Sequence, residues 1–189
     1  NKTHFETKKG MAVMPMCFGI SFTTTYMNQA SALVHVYTDG SISVSTGGVE
    51  MGQGLKSNIS GIVSKGFGIR EHRIKIESTN TTRVANMSPS AASATTVLNG
   101  NATLIAIEQV LDRLKSMVAK ELGVQDTGRI TIVDEKVFCD GRETDWTWDR
   151  LVQTAHLNRI GLAAYGFFAT PEIYFYKTIE KGHTFAYHI

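Results

Sequence analysis

The sequence predicts an α/β protein in which mixed sheets carry packed helices. Three observations lead there: a strand, turn and strand pattern from Ala30 to Val44, and two helical periodicities over about residues 53–66 and 97–122. In the hairpin, Leu33, His35 and Tyr37 alternate with Val34 and Val36. Asp39-Gly40 supplies the turn, and Ile42 and Val44 continue on the return.

After a glycine-rich segment, Leu55, Ile59, Ile62, Val63 and Phe67 recur at helical spacing, so a helix opens near Gly54. Arg73 to Glu77 alternates as a strand. A polar stretch from Ser78 to Thr96 then leads to the longest helix, with Leu104, Ile107, Leu111, Leu114, Val118 and Leu122 on one face and Gly123 ending it. Ile130 to Phe138 reads as a second hairpin, followed by an Asp140-Gly141 turn and a short helix led by Trp146 to Leu151. From Leu162 onward the pattern is of strands broken by Pro171 and by Lys181-Gly182.

The chain of 189 residues, 42% hydrophobic and 19% charged, has the composition of a globular protein. Its net charge of +2 and dispersed basic residues give no nucleic-acid footprint. Two cysteines, Cys17 and Cys139, fit a reducing compartment, and no apolar run has the length of a membrane span. These features predict cytoplasmic residence. Because Phe185 to Ile189 is a strand-like run with no closing turn, residues 1–189 are expected to be a single partial domain of a larger subunit.

Gly47 to Gly54 lies between a strand and a helix, where backbone N–H groups and a helix N-terminus favour an anion. A tight turn with left-handed glycines is the plainer alternative. The spacing is neither that of a Walker A loop nor of a dinucleotide fingerprint. Gln53, an amide between two glycines, is the candidate ligand-facing group. The stretch Asn86 to Thr95 is either a second anion-binding loop or a capping segment in which Ser93, Thr95 and Thr96 are competent caps. Phe22, alternating with Phe18 and Ile20, reads on its own as a core aromatic. His35 reads as a sheet histidine and Glu50 as structural, and the histidines show no metal-ligand spacing.

FGISFT at Phe18–Thr23, LVHVYTDGSISVSTGGVEMGQGL at Leu33–Leu55 and ESTNTTRVANMSPSAASATTVLNG at Glu77–Gly100, with GFFATP at Gly166–Pro171 and the final HTFAYHI, resemble one family. It is the molybdenum-binding subunit or domain of the xanthine dehydrogenase and aldehyde oxidase family. The resemblance implies part of a molybdopterin-binding domain in a hydroxylase that oxidises a purine such as xanthine or hypoxanthine, with oxygen from water. Electrons would pass to iron–sulfur clusters and FAD on other domains or subunits. It implies a molybdenum–molybdopterin cofactor held by Gly52, Gln53, Gly54, Ala91, Ala92, Ser93, Ala94 and Thr95, with the Ala92 backbone near the metal. Phe22 and Thr23 would line the substrate.

Ser90 stands where the family commonly has threonine, and Val97-Leu98 where an acidic residue is frequent. The catalytic glutamate of the family belongs to a segment after Ile189, and its arginine-bearing substrate loop to one before residue 1. No catalytic residue is therefore expected here, and the piece alone is expected to be inactive. The implied partners are the remaining molybdenum-subunit segments and the FAD and iron–sulfur components, in an oligomer. An aldehyde oxidase-type enzyme and a non-catalytic assembly module are the alternatives.

Overall fold

The computed structural model describes residues 7, 9–16, 18–91 and 94–188. A short strand β1 (Phe18–Ile20) precedes the expected hairpin, β2 (Gln29–Val36) and β3 (Ile42–Thr46), with Val34 opposite Val44. The glycine-rich loop leads into α1 (Leu55–Phe67), which ends at Gly68 in the left-handed region, φ +70°. Strand β4 (Ile74–Ile76) then lies parallel to β3.

Helix α2 (Thr95–Glu121) begins two residues before the expected start. It ends as predicted at Gly123, where the Val124 N–H reaches back to Ala119 O at 2.8 Å. The next three strands, β5 (Ile130–Val133), β6 (Lys136–Cys139) and β7 (Arg142–Thr147), form a meander with left-handed turns at Asp134-Glu135 and Asp140-Gly141. Helix α3 (Trp148–Leu157) corrects the expected short helix. Trp146 belongs to β7, and the helix opens at Trp148 because the Thr147 hydroxyl accepts from the Arg150 N–H.

Strand β8 (Ala163–Ala169) completes a four-stranded sheet in the order β4-β3-β2-β8, pairing antiparallel with β2. Strands β9 (Tyr174–Tyr176) and β10 (Lys181–His183) form a ribbon, so Lys181-Gly182 lies inside a strand and the reversal falls at residues 177–180. Strand β11 (Phe185–His188) pairs with β1. Among the described residues no helix is long and apolar enough to cross a membrane.

The inner face of the sheet presents Val34, Val36, Ile42 and Val44 to Leu55, Ile59, Val63 and Phe67 of α1 and to Ile107, Val110 and Leu114 of α2, all buried. Leu104 departs from expectation: it is 38% exposed, and Leu111 and Leu122 are only half-buried. The helix face is rotated because its closest approach to the sheet is made by small residues. A Cβ added at Gly166 on β8 would stand 2.0 Å from Ala102 O and 2.8 Å from Ala106 N. A second, smaller core of Ile20, Ala30, Ala32, Leu98, Ala102 and Ile173 lies toward the start of α2.

A joint holds the meander to the main sheet. Arg73 bonds both Glu135 at 2.9 Å and Asp149 at 2.8 Å, with its side chain 18% exposed. Beside it, the fully buried Trp148 donates its indole N–H to Gly40 O at 2.8 Å and packs on Phe67.

Gly166→Ala is expected to destabilise the protein by about 2 kcal/mol or more, because the backbone of α2 must move away to admit one methyl. Urea unfolding of the two proteins measures the difference; equal midpoints would show that α2 does not rest on β8 as closely as described.

Candidate functional site

The loop from Gly47 to Gly54 uses its glycines in two ways. At Gly52 and Gly54 the backbone is left-handed, φ +97° and +79°, and an added Cβ meets nothing within 4 Å. At Gly47 an added Cβ would strike the Met87 side chain at 1.9 Å, and at Gly48 the Leu55 side chain of α1 at 2.5 Å, so the bare loop backbone packs against the segment before α2 and against α1. Thr79 Oγ1 also donates to Gly48 O at 2.7 Å.

The anion at the start of α1 is supplied by the chain itself. Glu50 Oε1 accepts from the N–H groups of Gly52 and Gly54 at 2.9 and 3.1 Å, and Oε2 from Lys56 at 3.0 Å. This carboxylate supplies negative charge where the helix N-terminus favours an anion. The Lys56 N–H above all, with those of Gly52 and Gly54, holds the Glu50 pKa below its ordinary value.

Gln53 folds back over the loop, exposed to solvent. Its Oε1 accepts from Met51 N at 2.6 Å and its Nε2 donates to Val49 O at 2.7 Å. One amide proton and one lone pair remain for a ligand. The turn that holds Gln53 is thus self-closed around Glu50 and presents the amide outward.

The segment before α2 lies against this loop. Ser90 Oγ accepts from Val49 N at 2.7 Å, so the hydroxyl retained in place of the family's threonine is what joins the two loops. Met87 fills the space above Gly47, and its sulfur lies 3.3 Å from Ser31 N. The capping reading of this segment does not hold for Thr95 and Thr96. Both are inside α2, whose cap position is Ala94 with no side-chain hydrogen bond. Thr96 Oγ1 instead accepts from Asn58 Nδ2 of α1 at 3.3 Å. Ala92 and Ser93 lie outside the described residues.

Beside these loops is a cavity of about 570 Å³ lined by Phe22, Asn28, Ser88, Pro89, Ala91, Ala94 and Leu98, among others. That volume suits a small organic ligand, and among the described residues no charged side chain lines it. Phe22 is not a core aromatic: it lies past the end of β1 and is 53% exposed, with its ring bordering the cavity. The buried Asn28 holds the Phe22 backbone, its Nδ2 donating to Phe22 O at 2.6 Å. Thr23 is exposed and does not line the cavity, nor do Gln53, Gly52 and Gly54. Thr95 is buried at the helix start, within reach of a Cβ at Gly48.

His35 is remote from this cavity, half-buried on the outer sheet face with its ring near Tyr37. Among the described residues no group of three or more His, Cys, Asp or Glu could hold a metal ion. Asn28 and the bridging role of Ser90 were not signalled by residue patterns, because each depends on where two distant loops meet.

Small residues at two loop ends, an outward amide and a neutral cavity describe a cofactor-binding module. The chain belongs to the molybdopterin cofactor-binding domain family, which matches residues 1–189. Among the proteins it is similar to are xanthine dehydrogenases. It is 38% identical over 181 residues to xanthine dehydrogenase 1 of Arabidopsis thaliana, covering 96% of this chain and 12% of that protein. It is 37% identical over 187 residues to the xanthine dehydrogenase/oxidase of Gallus gallus, covering 99% and 12%. The chain therefore spans about one eighth of the length of these relatives. In fold it is similar to the reconstituted CO dehydrogenase from Oligotropha carboxidovorans, with a TM-score of 0.67 at 22% identity over 76% of this chain and 18% of that one.

The Glu50 latch has a definite pH dependence. A carboxylate with a depressed pKa stabilises the loop fully above the ordinary glutamate value of 4.5, and the effect is lost as pH falls through the depressed value. Amide protection of Gly52, Gly54 and Lys56, taken relative to the unstructured rate at each pH, is expected to be steady at and above 4.5 and to collapse only as pH falls through the depressed value. Glu50→Gln should show weak protection of all three at every pH. Protection that is equal in both proteins would remove Glu50 from this role.

Proposed function

We propose that this chain is the molybdenum-cofactor-binding portion of a xanthine dehydrogenase-like hydroxylase that oxidises a purine, and that residues 1–189 form a single partial domain of it. The observation that supports this reading is the hydrogen bond that joins the Gln53 loop to Ser90, beside a cavity bordered by Phe22, Ala91 and Ala94.

The residues present fit a phosphorylated pterin that carries its own metal. Gln53 keeps a free donor and acceptor, the α2 start is uncapped by any described side chain, and Ala91 and Ala94 leave room for backbone close to a ligand. When bound, the cofactor supplies the transfer of water-derived oxygen and the two-electron redox chemistry. This chain's residues supply position. Gln53, with Gly52 and Gly54 setting its turn, orients the pterin. Ala91, Ala92, Ser93, Ala94 and Thr95 let the backbone approach it, with Ala92 nearest the metal. Phe22 offers a flat ring to a planar purine, held in place by Asn28, and Thr23 adds a hydroxyl beside it.

The proton-transferring glutamate, the iron–sulfur clusters and FAD belong to the remainder of the molybdenum subunit or to partner subunits, in a cytoplasmic oligomer.

Metal analysis with pterin release tests the reading on the complete protein. Molybdenum and pterin in equal amounts support it, and their absence from the intact protein overturns it. Gln53→Ala in the same protein is expected to lower molybdenum occupancy or turnover roughly tenfold or more. Phe22→Ala is expected to raise KM for a purine while molybdenum content stays unchanged. An enzyme that turns over aldehydes and not purines would move the assignment to the aldehyde-oxidising branch.

A further inference from the structure

Asn99 stands one turn into α2 and is 3% exposed. Its Nδ2 donates to Thr95 O at 2.8 Å. Because a carbonyl can only accept, this contact fixes which end of the amide is which and leaves Oδ1 as an acceptor. Among the described residues, Asn99 Oδ1 is the buried side-chain polar atom with no hydrogen-bond partner. Buried polar atoms in folded proteins are nearly always satisfied, by protein or by ordered water.

Asn99 borders a small cavity of about 10 Å³ between β2, the segment before α2 and the helix start, shared with Gln29, Ser88, Ser90 and Thr95. That size is at the threshold for one water and admits nothing larger. A buried water needs two to four polar partners. Asn99 Oδ1 provides an acceptor. Ser90 provides a donor: its oxygen already accepts from Val49 N, which leaves its own proton free.

We propose that this cavity holds one ordered water that donates to Asn99 Oδ1 and accepts from the Ser90 hydroxyl. Asn99 is thereby a positioning residue for the segment from Met87 to Ala91. It touches no ligand and acts through the water on Ser90, which in turn holds the Gln53 loop at Val49. The proposal rests on the reading that these two loops face the cofactor.

The test uses the complete, cofactor-loaded protein. A crystal structure that resolves waters is expected to show one within hydrogen-bond distance of Asn99 Oδ1. An empty cavity, or Oδ1 accepting directly from a backbone N–H, would overturn the water. Asn99→Leu, which removes both the acceptor and the donor to Thr95 O, is expected to release pterin on dialysis about tenfold faster than the parent, and Asn99→Asp, which keeps the acceptor oxygens, less so. Thr103→Val, which alters another buried polar residue of the same helix away from the cavity, is expected to release it at the parental rate. A folded Asn99→Leu protein with parental release, or equal acceleration in both variants, would overturn the positioning role. A parent protein without molybdenum or pterin would instead defeat the cofactor reading, and the water measurement would still stand on its own.

Discussion

The contact between α2 and the sheet governs the arrangement of this protein. Gly166 on β8 faces Ala102 and Ala106, and Ala30 and Ala32 on β2 lie in the same cluster or its neighbour, so helix and sheet meet almost backbone to backbone. Small residues bury less apolar area than leucines, and dispersion falls off within about an ångström of extra separation. The approach is therefore specific, because only one helix height is compatible with it. It also fixes where the first turn of α2 emerges, and hence where Ala94, Thr95 and Asn99 stand relative to the Gly47–Gly54 loop.

Much of the fold was legible because strong local signals coincide with real elements. Asp39-Gly40 between two alternating runs gives the hairpin, Gly123 ends α2, and the spacing from Leu55 to Phe67 gives α1. Strand β7 was hidden because Arg142 to Thr147 is mostly polar and exposed, held by pairing with β6 and by the anchored Trp146. The misjudged face of α2 has the opposite cause. Periodicity weights large side chains, whereas alanine and glycine make the closest contact there. Lys181-Gly182 resembles a turn in composition, yet the left-handed residue of that reversal is Glu180.

The site was legible in its parts and not in its wiring. Gly52, Gln53 and Gly54 announce an unusual turn, and the resemblance selected Phe22 and the small residues before α2. That Glu50 closes the turn depends on three N–H groups at positions two, four and six residues onward converging on one carboxylate, a path that no spacing rule encodes. Asn28 and Asn99 are single amides without periodicity. Their importance lies in being buried at 2% and 3% exposure, which only the folded chain reveals.

The latch at Glu50 has a consequence for the entropy of the loop it closes. Fixing a loop residue's backbone costs on the order of 1–2 kcal/mol of conformational entropy. Here the hydrogen bonds within Val49–Lys56 offset part of that cost from inside the loop. Binding free energy is then not consumed in ordering this turn, and the loop can receive a cofactor as a finished surface.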